Sequence, residues 1–249
     1  MYPICTIEDC KNKCRTRSSP YCEKHYYRLR RTGAVNEKAR KYAVNEKAFD
    51  RLNHDKCWLL GLIWSDGNIS YNRLQITSKD KQMLDAAEGI VGGSGCVIPH
   101  GKKYWALSFS NKRIVDKLRS LGLQEAKSLT IGWPQLSNSQ EWHFMRGVFD
   151  GDGCAYLSRL DKIPYLRTQI VSASEEFFTG ICRFFDNHRI SYSTAKRDDG
   201  LQIITISKTE ANLQIYNNFY KKGRPCLHRK RAVFERWLDA RGMKKVSTK

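Results

Sequence analysis

The sequence predicts an α+β protein built from two pseudo-symmetric αββαββα halves, each with an antiparallel sheet, behind a small N-terminal Cys/His module. Three observations carry this expectation. From Cys57 onward the chain repeats itself. Within each copy, segments of strand period alternate with segments of helical spacing. The first 32 residues hold four of the nine cysteines and few aliphatics, too little for a conventional core.

The repeat is approximate but ordered. "LLGLIWSDGNI" (59–69) aligns with "MRGVFDGDGCA" (145–155), "LQITSKDKQMLDAAEGIVG" (74–92) with "TQIVSASEEFFTGICRFFD" (168–186), and "YWALSFSNKRIVDKLRSLG" (104–122) with "LQIITISKTEANLQIYNNF" (201–219). The offset grows from 86 to 94 to 97, so extra residues enter only between matched segments, where loops tolerate them.

Taken in order, residues 1–32 form the Cys/His module and 33–52 a linker in which "AVNEKA" occurs twice, at 34 and 43. Each Asn there is either the cap of a short helical turn or part of a duplicated tether. Residues 53–126 are the first half and 127–140, with a Pro and a polar run, the connection between halves. Residues 141–249 are the second half, ending in a basic helix. "LQITS", "WALSFS", "TQIVS" and "LQIITIS" read as strands; "KDKQMLDAAEGIV" and "NKRIVDKLRSLG" read as helices.

With 44 Lys+Arg against 25 Asp+Glu, a net charge of +19, the expected partner is a polyanion. No apolar run is long enough to span a bilayer, and "MYPICTIEDCKNKC" lacks the apolar region of a secretory signal. An odd number of cysteines in such a chain argues against a disulfide framework. A reducing, cytoplasmic location follows as an expectation, in a bacterial, phage-infected or organellar host.

Against that basic background, two carboxylates stand out. Both repeats open on an apolar helix carrying a glycine, Gly61 and Gly147, and five residues later reach Asp66-Gly67 and Asp152-Gly153. A glycine inside a helix costs about 1 kcal/mol relative to alanine, and close helix–helix approach is a reason to retain it. Gly67 and Gly153 are expected to close their helices in the left-handed region. An aspartate there faces the negative pole of the helix dipole, and two such helices side by side bring like charges together. A divalent cation offsets both costs, and a carboxylate pair completed by water and phosphate oxygens describes a magnesium site. Whether the backbone at position 65, a serine, adds a ligand is left open. The alternative is that each Asp-Gly is a simple turn. A calcium-loop reading fails, because Cys154 and Ala155 stand where that loop needs an oxygen ligand and a glycine.

"LLGLIWSDG" and "MRGVFDGDG" resemble the two motif copies of the LAGLIDADG homing endonucleases, and the resemblance covers about residues 57–240. It implies two halves joined at their motif helices, saddle-shaped sheets lying in the DNA major groove, and cleavage of both strands across the minor groove. Asp66 and Asp152 correspond to the last acid of each motif, the magnesium ligands. The motif's earlier acid is Trp64 in one copy and Asp150 in the other, so Asp150 is read as a helix cap or peripheral contact. Arg146 and Leu60, where the motif has alanine, are tolerable if they point away from the partner helix. Lys127 and Lys230 resemble the basic residues near the scissile phosphates, where lysine orders water or steadies the leaving group. Their alternative is ordinary phosphate anchoring or solvation.

Alternation along the strands puts Arg73, Gln75 and Thr77, with Lys79 beyond them, on one face, and Arg167, Gln169 and Val171 on the other copy's equivalent; Lys196 and Arg197 follow near a turn. Arg and Gln are the usual readers of base edges, so these are candidate DNA contacts; the alternative is a solvated sheet face.

In the N-terminal module, Cys5, Cys10, Cys22 and His25 are the favoured ligands of a structural zinc ion, with Cys14 as a substitute for Cys10. The spacing is similar to that of small zinc modules in phage-type nucleases. Free thiols on a basic arm are the alternative. Arg28, Arg30 and Arg31 would meet phosphates.

The combined expectation is a monomeric, magnesium-dependent, site-specific endonuclease cutting double-stranded DNA at a long asymmetric target, with intron or intein mobility as the implied role. An RNA maturase and a non-catalytic DNA-binding regulator of the same fold are the rivals.

Overall fold

The computed structural model describes residues 2–35, 42–158, 164–221 and 223–245, with the side chains of Arg31 and Thr32 outside that description. The chain forms two compact units, Met1–Tyr42 and Ala43–Lys249. Among the described residues no helix is long and apolar enough to cross a membrane.

The first unit is a knuckle followed by helix α1 (Glu23–Thr32), which Gly33 closes with a φ of 75° and an N–H bonded to the Leu29 carbonyl. Its strand-like contacts are an Ile4↔Lys13 bridge and the Cys5 N–H to Asn12 carbonyl bond.

The second unit contains both repeats in full. The first runs α2 (His54–Asp66), β1 (Gly67–Ser70), β2 (Arg73–Ser78), α3 (Lys81–Ile90), β3 (Val97–His100), β4 (Tyr104–Ser110) and α4 (Lys112–Ser120). The second runs α5 (Asn138–Asp152), β5 (Gly153–Ser158), β6 (Tyr165–Ser172), α6 (Glu175–Asn187), β7 (Ser193–Lys196), β8 (Gln202–Ile206) and α7 (Thr209–Phe219), followed by α8 (His228–Ala240). The two antiparallel sheets have the same strand order, β1-β2-β4-β3 and β5-β6-β8-β7. The αββαββα pattern is therefore present twice.

Local chemistry sets the helix starts. Asn53, Asn111 and Ser174 each accept a bond from the third backbone N–H of α2, α4 and α6. Ser137 and Gln140 form a capping box on α5. The second "AVNEKA" is a built turn and not a tether: Asn45 accepts from the Lys47 N–H, and Ala48 and Phe49 are buried. The first copy lies largely outside the described residues.

The unit is organised around α2 and α5, which pack together more extensively than any other pair of helices. Both are buried all round, as a helix between two layers must be. Their crossing is backbone on backbone. A Cβ on Gly61 would fall on the Phe144 carbonyl oxygen and lie 2.8 Å from the Val148 nitrogen. One on Gly147 would fall on the Trp58 carbonyl oxygen and lie 2.8 Å from the Leu62 nitrogen.

Gly67 and Gly153 correct an expectation. Their φ values are −75° and −77°, extended and open to any residue, so neither closes its helix in the left-handed region. The constraint is steric. The chain turns from helix into strand so sharply that a Cβ on Gly67 would meet the Ile63 backbone, and one on Gly153 would meet the Phe149 ring and carbonyl.

Residues 127–140 run as a packed strap. Ile131 is buried, Trp133 stacks on Phe177 and Phe184, and the Trp64 indole donates to the Gly132 carbonyl at 3.0 Å.

The glycine contact generates a direct test. Gly147→Ala should cost roughly 3 kcal/mol in denaturant unfolding, the upper range of overpacking, because the clashing atoms are backbone. Stability unchanged, or raised by the roughly 1 kcal/mol that helix propensity alone offers, would contradict the packing.

Candidate functional site

Crossing at the glycines brings the C-terminal ends of α2 and α5 together, and each helix ends in an aspartate. A Cβ on Gly151 would lie 2.8 Å from Asp66 Oδ2, so the Asp66 carboxylate sits over the residue preceding Asp152. Both aspartates are open to solvent, yet each lines a cleft and is ringed by protein. That enclosure pushes the Asp152 carboxyl up to about 6, and the neighbouring Asp66 charge adds to the effect. Asp66 is also raised by its enclosure, against the pull of Lys230, Lys127 and Arg229. Two carboxylates beside each other, with carbonyl-rich helix ends behind them, are a donor set that suits a hard divalent cation.

Lys127 and Lys230 hold these helix ends in place. The Lys127 ammonium donates to the Ser65 carbonyl at 2.7 Å. The Lys230 ammonium donates to the carbonyls of Phe149, Asp150 and Gly151 at 2.6, 2.8 and 3.1 Å, using all three of its protons. Both side chains are buried, so neither is a solvated surface lysine. Burial lowers both pKa values, that of Lys230 to about 8, while the nearby aspartates oppose the shift. The lysines therefore cap the carbonyl ends of the two motif helices and offset the negative pole at which the aspartates stand.

Of the two roles expected for Asp150, helix cap or peripheral contact, the peripheral one does not hold. Asp150 is 1% exposed, and its Oδ2 accepts from the Trp58 indole at 2.7 Å, across the helix interface, and from the Leu227 N–H at 3.0 Å. It ties α2 to α5 and to the segment entering α8. Arg146 is likewise buried, with its guanidinium donating to the Phe219 carbonyl at 3.5 Å.

The aspartates open onto two clefts related by the repeat. Asp66 shares one with Thr77, Ser78, Lys79, Tyr104 and Arg229. Asp152 shares the other with Lys127, Val171, Ser172, Ala173 and Leu201.

Beyond the clefts, strand register sorts the base-reading candidates. Leu74 and Ile76 are buried, so Arg73, Gln75 and Thr77 share the opposite face. Arg73 Nε bonds Ser108 Oγ at 2.9 Å, and Gln75 Nε2 bonds Thr77 Oγ1 at 3.3 Å. On β6, Arg167, Gln169 and Val171 alternate with buried Leu166, Thr168 and Ile170, and Gln169 bonds Thr205 of β8 at 3.0 Å. Lys79 follows β2, with its ammonium 5.4 Å from the Tyr104 ring. Lys196, expected near a turn, ends the exposed strand β7. It pairs with Gln202, which pairs with Ser172, so the one-residue alternation sets it on the helix-side parity at the sheet edge. Arg197 lies in the following turn, paired with Asp199 at 2.9 Å. Half-exposed Tyr104 and Tyr156 share the polar faces and were missed in the sequence, because a tyrosine in a strand reads equally well as core. Arg229 was missed because only the fold brings the start of α8 to Asp66.

In the N-terminal unit, Cys5, Cys10, Cys22 and His25 place their ligand atoms within 4.8 Å of one another. The Cys5 Sγ–His25 Nδ1, Cys22 Sγ–His25 Nδ1 and Cys10 Sγ–Cys22 Sγ separations are 3.2, 3.4 and 3.9 Å. Edges of about 3.5–3.8 Å are what a tetrahedral zinc site with these atoms requires. Cys14 is buried beside the cluster but is not one of the four. Of the expected phosphate-binding arginines, Arg28 reaches the Val35 carbonyl at 3.4 Å and Arg30 the Tyr26 hydroxyl at 3.4 Å. The Arg31 side chain lies outside the described residues. Arg15, not singled out in the sequence, lies 4.3 Å over the Tyr26 ring.

No protein-family model and no curated protein matches the sequence. Solved structures match it in fold. The meganuclease I-SmaMI bound to uncleavable DNA is 12% identical, with a TM-score of 0.54, over 76% of this chain and 88% of that one. The LAGLIDADG meganuclease I-AabMI bound to uncleaved DNA is 12% identical, with a TM-score of 0.51, over 78% of this chain and 99% of that one. I-DmoI in complex with DNA and calcium is 15% identical, with a TM-score of 0.52, over 73% and 97%. At these identities the likeness is one of fold.

Two outcomes test the site. Lys230→Met should cost about 3 kcal/mol in urea unfolding and Lys127→Met about a third of that, in line with three carbonyls against one; equal or negligible losses would contradict the capping. Cys10→Ser should remove bound metal as measured by elemental analysis, whereas Cys14→Ser should retain it; the reverse pattern would reassign the ligand.

Proposed function

From the fold of the LAGLIDADG homing endonucleases, we propose that this chain is a site-specific endonuclease that hydrolyses both strands of double-stranded DNA. The observation that carries the proposal is the meeting of two motif-helix ends, each presenting a solvent-open aspartate beside the other, in a chain of net charge +19. The lysines offset the helix dipoles, but the two carboxylates still repel each other, a cost that a shared divalent cation removes.

In this reading Asp66 and Asp152 hold magnesium. When bound, the ion supplies charge stabilisation at the phosphate and an acidified water. The chain's own residues do the remainder. The glycine contact fixes the separation of the carboxylates, and Asp150 locks the two helices in register. Lys127 and Lys230 hold the helix ends and place positive charge beneath the scissile phosphates, where negative charge accumulates during in-line attack. Arg73, Gln75, Thr77 and Lys79 of one sheet and Arg167 and Gln169 of the other contact the duplex. Arg197 adds phosphate contact at the sheet edge. Because the two faces differ in sequence, the target's half-sites differ, and a single chain carries both halves.

The Cys/His unit is assigned a structural zinc ion. It carries eight Lys/Arg against three Asp/Glu among residues 2–35, enough to lengthen the DNA footprint through phosphate contacts from residues such as Arg28 and Arg30.

The test is a cleavage assay on DNA selected from a randomised library, with magnesium and then calcium. Asp66→Asn and Asp152→Asn should bind that DNA with affinity within a few-fold of wild type and cut it at least ~100-fold more slowly. Cutting at the wild-type rate by either variant would remove that aspartate from the mechanism.

A further inference from the structure

The two clefts occupy matching places but do not offer matching chemistry, and we infer that the DNA strand entering the Asp66 cleft is cut before the strand entering the Asp152 cleft, with Lys79 and Arg229 as the groups responsible. The inference rests on the endonuclease reading above and adds to it an order of events.

The equivalence of the clefts is fixed by more than alignment. In the first repeat the Asp80 N–H donates to the Ser78 hydroxyl at 3.1 Å, and in the second the Ser174 N–H donates to the Ser172 hydroxyl at 3.1 Å. The same turn thus leads from sheet to helix in both halves, so Lys79 and Ala173 are counterparts. By the same register Thr77 matches Val171, and the repeat pairs Tyr104 with Leu201. At all three positions the Asp66 cleft has a polar or charged side chain and the Asp152 cleft an apolar one.

Arg229 adds to the difference. It enters the Asp66 cleft from the first turn of α8, with its Nε 3.1 Å from Asp80 Oδ2 and its side chain 62% exposed. Asp80 takes one of the five donors of the guanidinium and aims the remainder. The cation of the other cleft, Lys127, is 9% exposed, and its ammonium is bonded to the Ser65 carbonyl. The clefts therefore differ both in the number of cations that line them and in the reach of those cations. Two exposed cations can meet a phosphate in one cleft, while the cation of the other is engaged in holding a helix end. Donors aimed at the developing charge on a phosphoryl group govern its rate of attack.

The experiment is strand-resolved cleavage of a supercoiled plasmid carrying the selected target, with each strand labelled separately. The wild-type chain should accumulate nicked circles before linear product, always nicked in the same strand, with strand rates at least ~10-fold apart. In single turnover with the DNA saturated by enzyme, so that any loss of duplex affinity drops out, Lys79→Ala with Arg229→Ala should slow the fast strand about 10-fold or more, change the slow strand less than about 3-fold, and abolish the bias. Lys79→Arg with Arg229→Lys should preserve it. Ala173→Lys, which places a cation at the matching position of the second cleft, should speed the slow strand. Equal strand rates in the wild type, or equal slowing of both strands in the double variant, would overturn the inference while leaving the endonuclease reading intact. A chain that cuts no DNA would instead overturn that reading.

Discussion

Contact between two helix backbones at Gly61 and Gly147 is the constraint from which the remainder of the larger unit follows. With no Cβ on either residue, α2 and α5 cross within reach of each other's carbonyls. That crossing sets where both helices end, and hence where Asp66 and Asp152 stand. It also leaves the outer flanks of each helix to the apolar faces of the two sheets and their covering helices. Any side chain at the crossing would move the halves apart, and with them the carboxylates.

The polar interior serves the same geometry. Asp150 accepts from Trp58 across the crossing and from Leu227 beyond it, so one buried carboxylate joins both halves to the start of α8. Burial pushes it up to about 6, a sign that the charged form is costly there and is held by its donors. The two capping lysines are the counterpart at the helix ends. The last carbonyls of the helices accept from an ammonium, Phe149 in addition to the Gly153 N–H it already accepts, and the positive charge offsets the dipole against which the aspartates are set. The arrangement concentrates charge of both signs at one place while leaving the aspartates, and not the lysines, open to solvent.

Much of this was legible in the sequence, for identifiable reasons. Repetition with growing offsets placed insertions in loops, so the two αββαββα copies and their strands emerged from the pattern alone. The notched helices were legible because glycine in an apolar helix needs a cause. Four ligand residues in a coreless stretch pointed to the cluster of Cys5, Cys10, Cys22 and His25, although spacing could not separate Cys10 from Cys14. What escaped depends on tertiary placement. The extended Gly67 and Gly153 were misread because a glycine after a helix has two uses, a left-handed φ and a close approach, and the sequence does not distinguish them. Asp150 looked peripheral because its partners lie 92 and 77 residues away. The face on which Lys196 stands follows from the β7–β8 register, which the sequence does not give. Arg229 had no local signal at all.

The central claim is that Asp66 and Asp152 jointly hold a divalent cation beneath a bound duplex. The most direct measurement is the anomalous density of manganese in crystals of the chain with its selected DNA target. The account predicts a peak between the two carboxylates, within coordination distance of an oxygen from each. Carboxylates turned apart, or manganese density only at other sites, would contradict it.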